Sequence, residues 1–233
     1  MEAASGGLVK ILSDMGVEVS IVIMTNGDKG CSNPEVCDES TTNAELAEIR
    51  IQEQLNSGKI LGISEENMHF LDYEDLLLKA YPRNEVSQKL VRLLRQFKPN
   101  VVMTWDVTSY FNMIPSEGWG DLGYHPDHQY SGELTLDAVW FSGEARLWPD
   151  LGAPWKPQFL YFWAYNPDVV PSHYVDITGA PHVAKTEAFL QMHSQYTDPA
   201  AMRAMLGMLG VQMQTTCNLP EGGLAEGYEY ILW

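Results

Sequence analysis

The chain has few cysteines and few basic residues, and both shortages limit what it can be. Its 233 residues include only Cys31, Cys37 and Cys217, a small and odd number that does not indicate a disulfide framework. There are 14 lysines and arginines against 31 aspartates and glutamates, which gives a formal net charge of −17. Because nucleic-acid binding depends on neutralising phosphates with basic side chains, this balance argues against a nucleic-acid partner.

Long apolar runs and a basic leader are also missing. No stretch approaches the ~20 apolar residues that a membrane span needs. The segment from Met1 to Ser5 contains no basic n-region of a signal peptide. The sequence therefore predicts a cytoplasmic protein without a membrane span. The absence of a Gly-x-Ser-x-Gly nucleophile elbow argues against a serine hydrolase of the α/β-hydrolase kind.

What the sequence does contain is a regular alternation of helical and extended patterns. Helices are predicted over residues 6–15, 44–61, 86–97, 126–141, 182–195 and 199–213. Strands are predicted over residues 17–25, 67–71, 100–105, 158–164 and 174–177. Such alternation is typical of βαβ units. We therefore predict an α/β fold, a Rossmann-like and mostly parallel sheet with helices on both faces, in a single domain that spans residues 1–233.

The most informative segment contains two imidazoles and a carboxylate within four residues, His125, Asp127 and His128. His125 and His128 are three apart, so they share one face of a helix, and Pro126 suits the first helical position. Imidazole is the commonest side-chain metal ligand, and a helix N-terminus favours negative charge. The segment therefore indicates a metal or oxyanion site. Catalytic zinc normally takes three protein ligands, so further ligands must come from elsewhere.

Three loops follow the C-terminal ends of predicted strands, at residues 25–30, 72–75 and 106–128. In a parallel α/β sheet, ligands bind beyond these strand ends. Topology alone therefore predicts that Asp28 and Asp75 lie in the neighbourhood of the histidine pair.

Seven short motifs occur in the order and spacing of a known family. They are residues 25–30 (TNGDKG), 50–53 (RIQE), 61–63 (LGI), 70–75 (FLDYED), 98–102 (KPNVV), 125–128 (HPDH) and 193–195 (HSQ). Taken together, from about residue 2 to residue 225, they resemble the PIG-L/LmbE-like zinc-dependent N-acetylglucosaminyl de-N-acetylases. The resemblance implies a Rossmann-like fold and a Zn²⁺ ion. It also implies removal of an acetyl group from an N-acetylglucosaminyl conjugate, such as N-acetylglucosaminyl-phosphatidylinositol.

The resemblance also implies roles for individual residues. His128 would be a zinc ligand, and His125 the acid that stabilises the oxyanion and protonates the leaving amine. Asp127 would orient and charge His125. Arg50 and Asp75 are similar to residues of the family's substrate pocket. The ring of Tyr124 can stack on a sugar or simply cover the sheet edge.

The chain departs from the family pattern at its N-terminus. The family's His-Pro-Asp-Asp motif precedes a Gly-Gly pair that opens the first helix, and residues 2–7 match the stretch just after that motif. Two zinc ligands, the general-base aspartate and the first strand are therefore expected to be missing, as in an N-terminally truncated enzyme. Two alternatives remain open. One is a catalytically inactive relative that binds a sugar conjugate or a partner protein, and the other is a hydrolase of a different amide. A homo-oligomer is also left open.

Overall fold

The computed structural model describes residues 1–107, 125–163 and 171–232. The chain divides into two compact units. The first unit comprises Met1–Asp75 and Pro167–Gly227, and the second comprises Leu76–Asn166 and Tyr228–Trp233. The single domain expected over residues 1–233 stays a prediction.

The described residues contain six α-helices and six β-strands, and helix and strand alternate from the first helix to the fourth strand. The helices are α1 (Glu2–Asp14), α2 (Asn43–Leu61), α3 (Arg83–Phe97), α4 (Pro126–Ser142), α5 (Ala180–Phe189) and α6 (Pro199–Thr216). The strands are β1 (Ile21–Thr25), β2 (Met68–Tyr73), β3 (Val101–Trp105), β4 (Phe159–Trp163), β5 (His173–Asp176) and β6 (Ala225–Leu232). The predicted α/β class is confirmed.

In the first unit, β1 and β2 pair in parallel, with Ile21 opposite Met68. The two strands are joined by α2, whose ends follow from local chemistry. Thr42 and Glu45 form a reciprocal capping box at its start, and Gly62 ends it in the left-handed conformation. The core beside this pair is apolar and is formed by Val9, Ile21, Leu61, Ile63, Met68 and Ala188.

In the second unit, β3 and β4 pair in parallel, with Val101 opposite Phe159. The other side of β4 pairs antiparallel with β6. One face of this sheet is packed through Val139, Leu160 and Phe162. The sheet is therefore parallel at β3–β4 and antiparallel at β4–β6.

The guanidinium of Arg95 connects α3 to the end of α4. This side chain is buried and donates to several backbone carbonyls at the end of α4 and in the turns that follow. The acceptors are the carbonyl oxygens of Phe141, Ser142, Glu144, Leu147, Trp148 and Gly152. Arg95 thereby holds the helix that carries the His-Pro-Asp-His segment.

Several predicted boundaries need correction. The strand expected over residues 17–25 begins only at Ile21. The helix expected over residues 182–195 is α5, which ends at Phe189 and is followed by a separate 3₁₀ turn at His193–Gln195. No strand is predicted for the C-terminal segment, which belongs to β6. This strand was missed because its stabilising partner, β4, is distant in sequence.

The cysteine count indicated no disulfide framework, but the described residues contain one disulfide. Cys31 and Cys37 form a disulfide with their Cα atoms 6.4 Å apart, within the usual range, whereas Cys217 is free. A cysteine count detects frameworks of several bridges but not a bridge that closes one short loop. Among the described residues, no helix has the length and apolar content to span a bilayer.

Candidate metal and substrate-binding residues

The His-Pro-Asp-His segment forms the first turn of α4, as predicted. His125 is the N-cap, with φ −127° and ψ 127°, and Pro126 is the first helical residue. The Nδ1 atom of His125 accepts a hydrogen bond from the backbone N–H of Asp127, at 3.3 Å. Because Nδ1 accepts, the proton of the neutral ring is carried by Nε2.

His128 stacks on the indole ring of Trp105, the last residue of β3. The ring centroids are 3.9 Å apart and the planes differ by 7°. Trp105 is in turn met edge-on by Trp163 at 4.8 Å, so the plane of the imidazole is set by two aromatic side chains.

The pKa of His128 is lowered mainly by two causes. Removal of water by the surrounding protein, followed by the neighbouring His125, lowers this pKa to about 3. The ring centroids of the two histidines are 4.6 Å apart. Because this pKa lies well below neutral pH, His128 presents a neutral imidazole, the form that binds metals.

Gly132, one helical turn after His128, allows this stacking. A Cβ atom at residue 132 would lie 2.5 Å from the carbonyl oxygen of Trp105 and 3.0 Å from a methyl group of Val107. Only glycine lets α4 approach the end of β3 so closely. The sequence contains a signal for this contact, a glycine inside a helix, but nothing in it identifies Trp105 as the neighbour.

The carboxylate of Asp127 is buried and accepts two backbone hydrogen bonds. The N–H of Leu76 donates to Oδ2 at 2.7 Å, and the N–H of Leu78 donates to Oδ1 at 3.2 Å. Asp127 thus anchors the chain that directly follows Asp75. Its expected role in orienting and charging His125 stays a prediction.

In the first unit, the loops after β1 and β2 meet, and the expected closeness of Asp28 and Asp75 to the histidine pair stays a prediction. Asp28 is buried, and its carboxylate accepts from the backbone N–H of Asp75 at 3.0 Å and from Nζ of Lys29 at 2.6 Å. Lys29 also pairs with Glu74 at 3.5 Å. The first of these contacts places Asp75 at the end of β2 against the β1 loop.

Arg50 lies beside the same β1 loop. A Cβ atom at residue 27 would lie 2.6 Å from Nε of Arg50, which is too close for a Cβ contact. Gly27 also has a φ of +70°, a backbone conformation that favours glycine. Burial lowers the pKa of Arg50, and the charges of Glu53 and Asp75 oppose that shift. Arg50 and Asp75 therefore belong to one neighbourhood within the first unit.

The predicted site residues divide between the two units. Arg50 and Asp75 lie in the first unit, whereas His125, Asp127 and His128 lie together in the second. Tyr124 lies outside the described residues. The assigned roles of all six residues stay predictions.

Comparisons with known proteins agree with the resemblance. A family model described as PIG-L, GlcNAc-PI de-N-acetylase, matches residues 1–139. The diacetylchitobiose deacetylase of Thermococcus kodakarensis is 31% identical over 194 residues, which are 83% of this chain and 65% of that protein. The mycothiol S-conjugate amidase of Streptomyces coelicolor is 26% identical over 170 residues, which are 66% of this chain and 53% of that protein.

A solved structure is also similar over nearly the whole chain. It is the N,N'-diacetylchitobiose deacetylase of Pyrococcus horikoshii, with a TM-score of 0.80 and 28% identity, covering 99% of this chain and 79% of the other. The chain spans 65% and 53% of the lengths of the two curated relatives named above.

Proposed function

Because the chain belongs to the PIG-L family, we propose that it is a metal-dependent hydrolase that removes the acetyl group from an N-acetylglucosaminyl conjugate. The small-molecule partner would be an N-acetylated sugar conjugate such as a chitobiose or an N-acetylglucosaminyl-inositol compound. The observation that carries the proposal is the match of the family model over residues 1–139, which includes the His-Pro-Asp-His segment.

The chemistry of His128 fits a zinc ligand. Its ring plane is held by Trp105, and its lowered pKa of about 3 keeps the imidazole neutral. Zinc, when bound, polarises the amide carbonyl and lowers the pKa of a bound water to about 7. His128 is the residue of the second unit that we propose as its ligand.

The proton that the departing amine needs would come from His125 as an imidazolium, which becomes neutral imidazole when it gives up one ring proton. In the structure Nδ1 accepts from the backbone N–H of Asp127, so Nδ1 would have to lose that hydrogen bond and take a proton before the acid step. At the N-terminus of α4, the backbone N–H groups also favour the negative charge that develops on the carbonyl oxygen. Asp127 would keep this turn in place through its bonds to the backbone of Leu76 and Leu78.

A second candidate reaction is hydrolysis of a different amide. The similarity to the mycothiol S-conjugate amidase favours it, and the same residues would serve. The two reactions differ in the acyl group that is released, so acetate and a larger acid distinguish them.

The proposal is tested by incubating the chain with N,N'-diacetylchitobiose and ZnCl₂ and measuring released acetate and primary amine. Zinc content is measured in parallel by inductively coupled plasma mass spectrometry. Because two further zinc ligands and the general base are expected from the His-Pro-Asp-Asp motif, the variants are made in a chain extended by a strand that carries this motif. In that extended chain we expect His128→Ala to lose most bound zinc and the activity, and His173→Ala, an exposed histidine of the first unit, to retain both. Sugar binding without acetate release by the extended chain would instead support the catalytically inactive relative.

Two further expectations accompany the proposal. The cytoplasmic location and a homo-oligomeric state stay predictions. Multi-angle light scattering of the purified chain would determine the second.

A further inference from the structure

In the described part of the first unit, both hydrogen bonds that the buried carboxylate of Glu53 accepts come from one serine. Glu53, on α2, is 5% exposed, and Ser194, in the 3₁₀ turn after α5, is fully buried. The backbone N–H of Ser194 donates to Oε1 of Glu53 at 2.6 Å, and the Ser194 hydroxyl donates to Oε2 at 2.7 Å. Both carboxylate oxygens are thereby committed to a residue 141 positions away.

The same hydroxyl also contacts Arg50. An Nη1 hydrogen of Arg50 donates to Oγ of Ser194 at 3.1 Å, whereas the direct distance from Nη1 to Oε2 of Glu53 is 3.9 Å. A hydroxyl has one proton to donate and lone pairs that accept. Since the proton goes to Glu53, Oγ presents its lone pair to Arg50. The Ser194 hydroxyl therefore links the carboxylate of Glu53 to the guanidinium of Arg50 and fixes the position of one relative to the other.

The backbone around Ser194 is itself tied to the β1 loop. The N–H of Ser32 donates to the carbonyl of Ser194 at 2.8 Å, and the side chain of Asn33 donates to the carbonyl of His193 at 3.0 Å. The 3₁₀ turn thus has a defined position beside the loop against which Arg50 lies.

Most of the hydrogen-bonding capacity of Arg50 remains. Among residues 1–107, 125–163 and 171–232, its bond to Ser194 is the one hydrogen bond that its guanidinium donates, although this group carries five N–H donors. The side chain is 22% exposed, and it is confined on one side by Gly27. A guanidinium held in this way is preorganised for oxygen acceptors of a ligand.

We propose that Glu53 and Ser194 are positioning residues that hold Arg50 for the hydroxyl and carbonyl oxygens of the sugar substrate. The proposal rests on the proposed deacetylation for the identity of that substrate. Neither residue contacts the reacting atoms in this scheme; both act through Arg50.

The kinetic test uses Ser194→Ala and Glu53→Gln in the chain extended by the His-Pro-Asp-Asp strand, with N,N'-diacetylchitobiose as substrate. Ser194→Ala removes the hydroxyl link but keeps the backbone N–H that binds Glu53. We expect each variant to raise KM about tenfold with kcat nearly unchanged, because the lost interaction is made equally in the ground state and the transition state. In an Arg50→Ala background, Ser194→Ala should raise KM no further.

Ser142→Ala is the matched control. Ser142 is also fully buried, and its hydroxyl oxygen lies within hydrogen-bond distance of the carbonyl oxygens of Val139 and Trp155 in the second unit, at 2.9 and 2.8 Å. We expect its KM to equal that of the unaltered chain. An unchanged KM in both Ser194→Ala and Glu53→Gln, with melting temperatures showing that they are folded, would overturn the proposal. An equal rise in KM for Ser142→Ala would do the same.

A chemical readout separates this proposal from the proposed function. Phenylglyoxal modifies accessible guanidinium groups, and peptide mass spectrometry measures the rate at Arg50. We expect several-fold faster modification in Ser194→Ala and Glu53→Gln than in the unaltered chain or Ser142→Ala. If the chain extended by the His-Pro-Asp-Asp strand releases no acetate, the proposed function fails while this rate still decides the positioning role. Equal rates in all four proteins would refute it.

Discussion

His125, Asp127 and His128 follow one another along the first turn of α4, yet each has a different environment. His125 caps the helix through Nδ1, and His128 stacks on Trp105. The buried carboxylate of Asp127 accepts hydrogen bonds from two backbone N–H groups. The spacing of the three residues shows that they share a helix turn. It does not show that the carboxylate is committed to residues 76 and 78.

The first prediction concerns Asp127→Asn. Asparagine keeps the shape of the side chain but replaces one acceptor oxygen with an NH₂ donor, so a backbone N–H of Leu76 or Leu78 loses its partner. We expect the free energy of unfolding, measured by urea titration, to fall by about 1–3 kcal/mol.

Asp137→Asn is the control on the same helix. Asp137 pairs at 2.6 Å with Arg83, whose side chain is 44% exposed. Exposed pairs contribute less than about 1 kcal/mol, so this variant should change stability little. An equal fall in the free energy of unfolding in the two variants would show that the backbone hydrogen bonds of Asp127 stabilise the fold no more than an exposed ion pair does.

At the scale of the element, α4 depends on contacts with its neighbours as much as on its own sequence. Arg95 of α3 holds its C-terminal end, and Gly132 allows its first turns to approach β3. The helix begins where Pro126 predicted, because capping is local chemistry. Its closeness to Trp105 is a property of packing.

The second prediction concerns Gly132→Ala. Alanine normally favours a helix interior over glycine by about 0.5–1 kcal/mol. At residue 132 the added Cβ would meet the carbonyl oxygen of Trp105 at 2.5 Å, and such overpacking costs about 1–3 kcal/mol. We therefore expect a lower melting temperature and a change in near-ultraviolet circular dichroism as the His128–Trp105 stack moves.

Gly207→Ala serves as the comparison. Gly207 lies within α6, and a Cβ there would have no heavy atom within 4 Å. This variant should be as stable as the unaltered chain or slightly more stable. A Gly132→Ala protein with the melting temperature and spectrum of Gly207→Ala would contradict the packing argument.

At the scale of the whole molecule, the charge is strongly one-sided. With a net charge of −17 and an isoelectric point of about 4.5, the chain should repel polyanions. We expect no retarded band when it is mixed with duplex DNA or single-stranded RNA in a low-salt gel-shift assay, where electrostatic binding is strongest. A retarded band that weakens with added salt would contradict this expectation.

Much of the fold could be predicted because its signals are local. Apolar β-branched runs identified β1 and β3, and Gly62 marked the end of α2. The antiparallel strand β6 could not be identified, because its pairing with β4, from Tyr228 opposite Trp163 onward, joins segments far apart in the chain. The disulfide was missed because a cysteine count contains no distance.

The candidate site shows the same division. The amino-acid pattern alone was enough to predict the α/β class, the place of the His-Pro-Asp-His segment at a helix start, and the family, since these depend on spacing along the chain. The tertiary structure was needed to identify Gly132, Glu53 and Ser194 as the residues that support His128 and Arg50. Each of these acts on a partner distant in sequence, and only close packing of the folded chain determines which atoms meet.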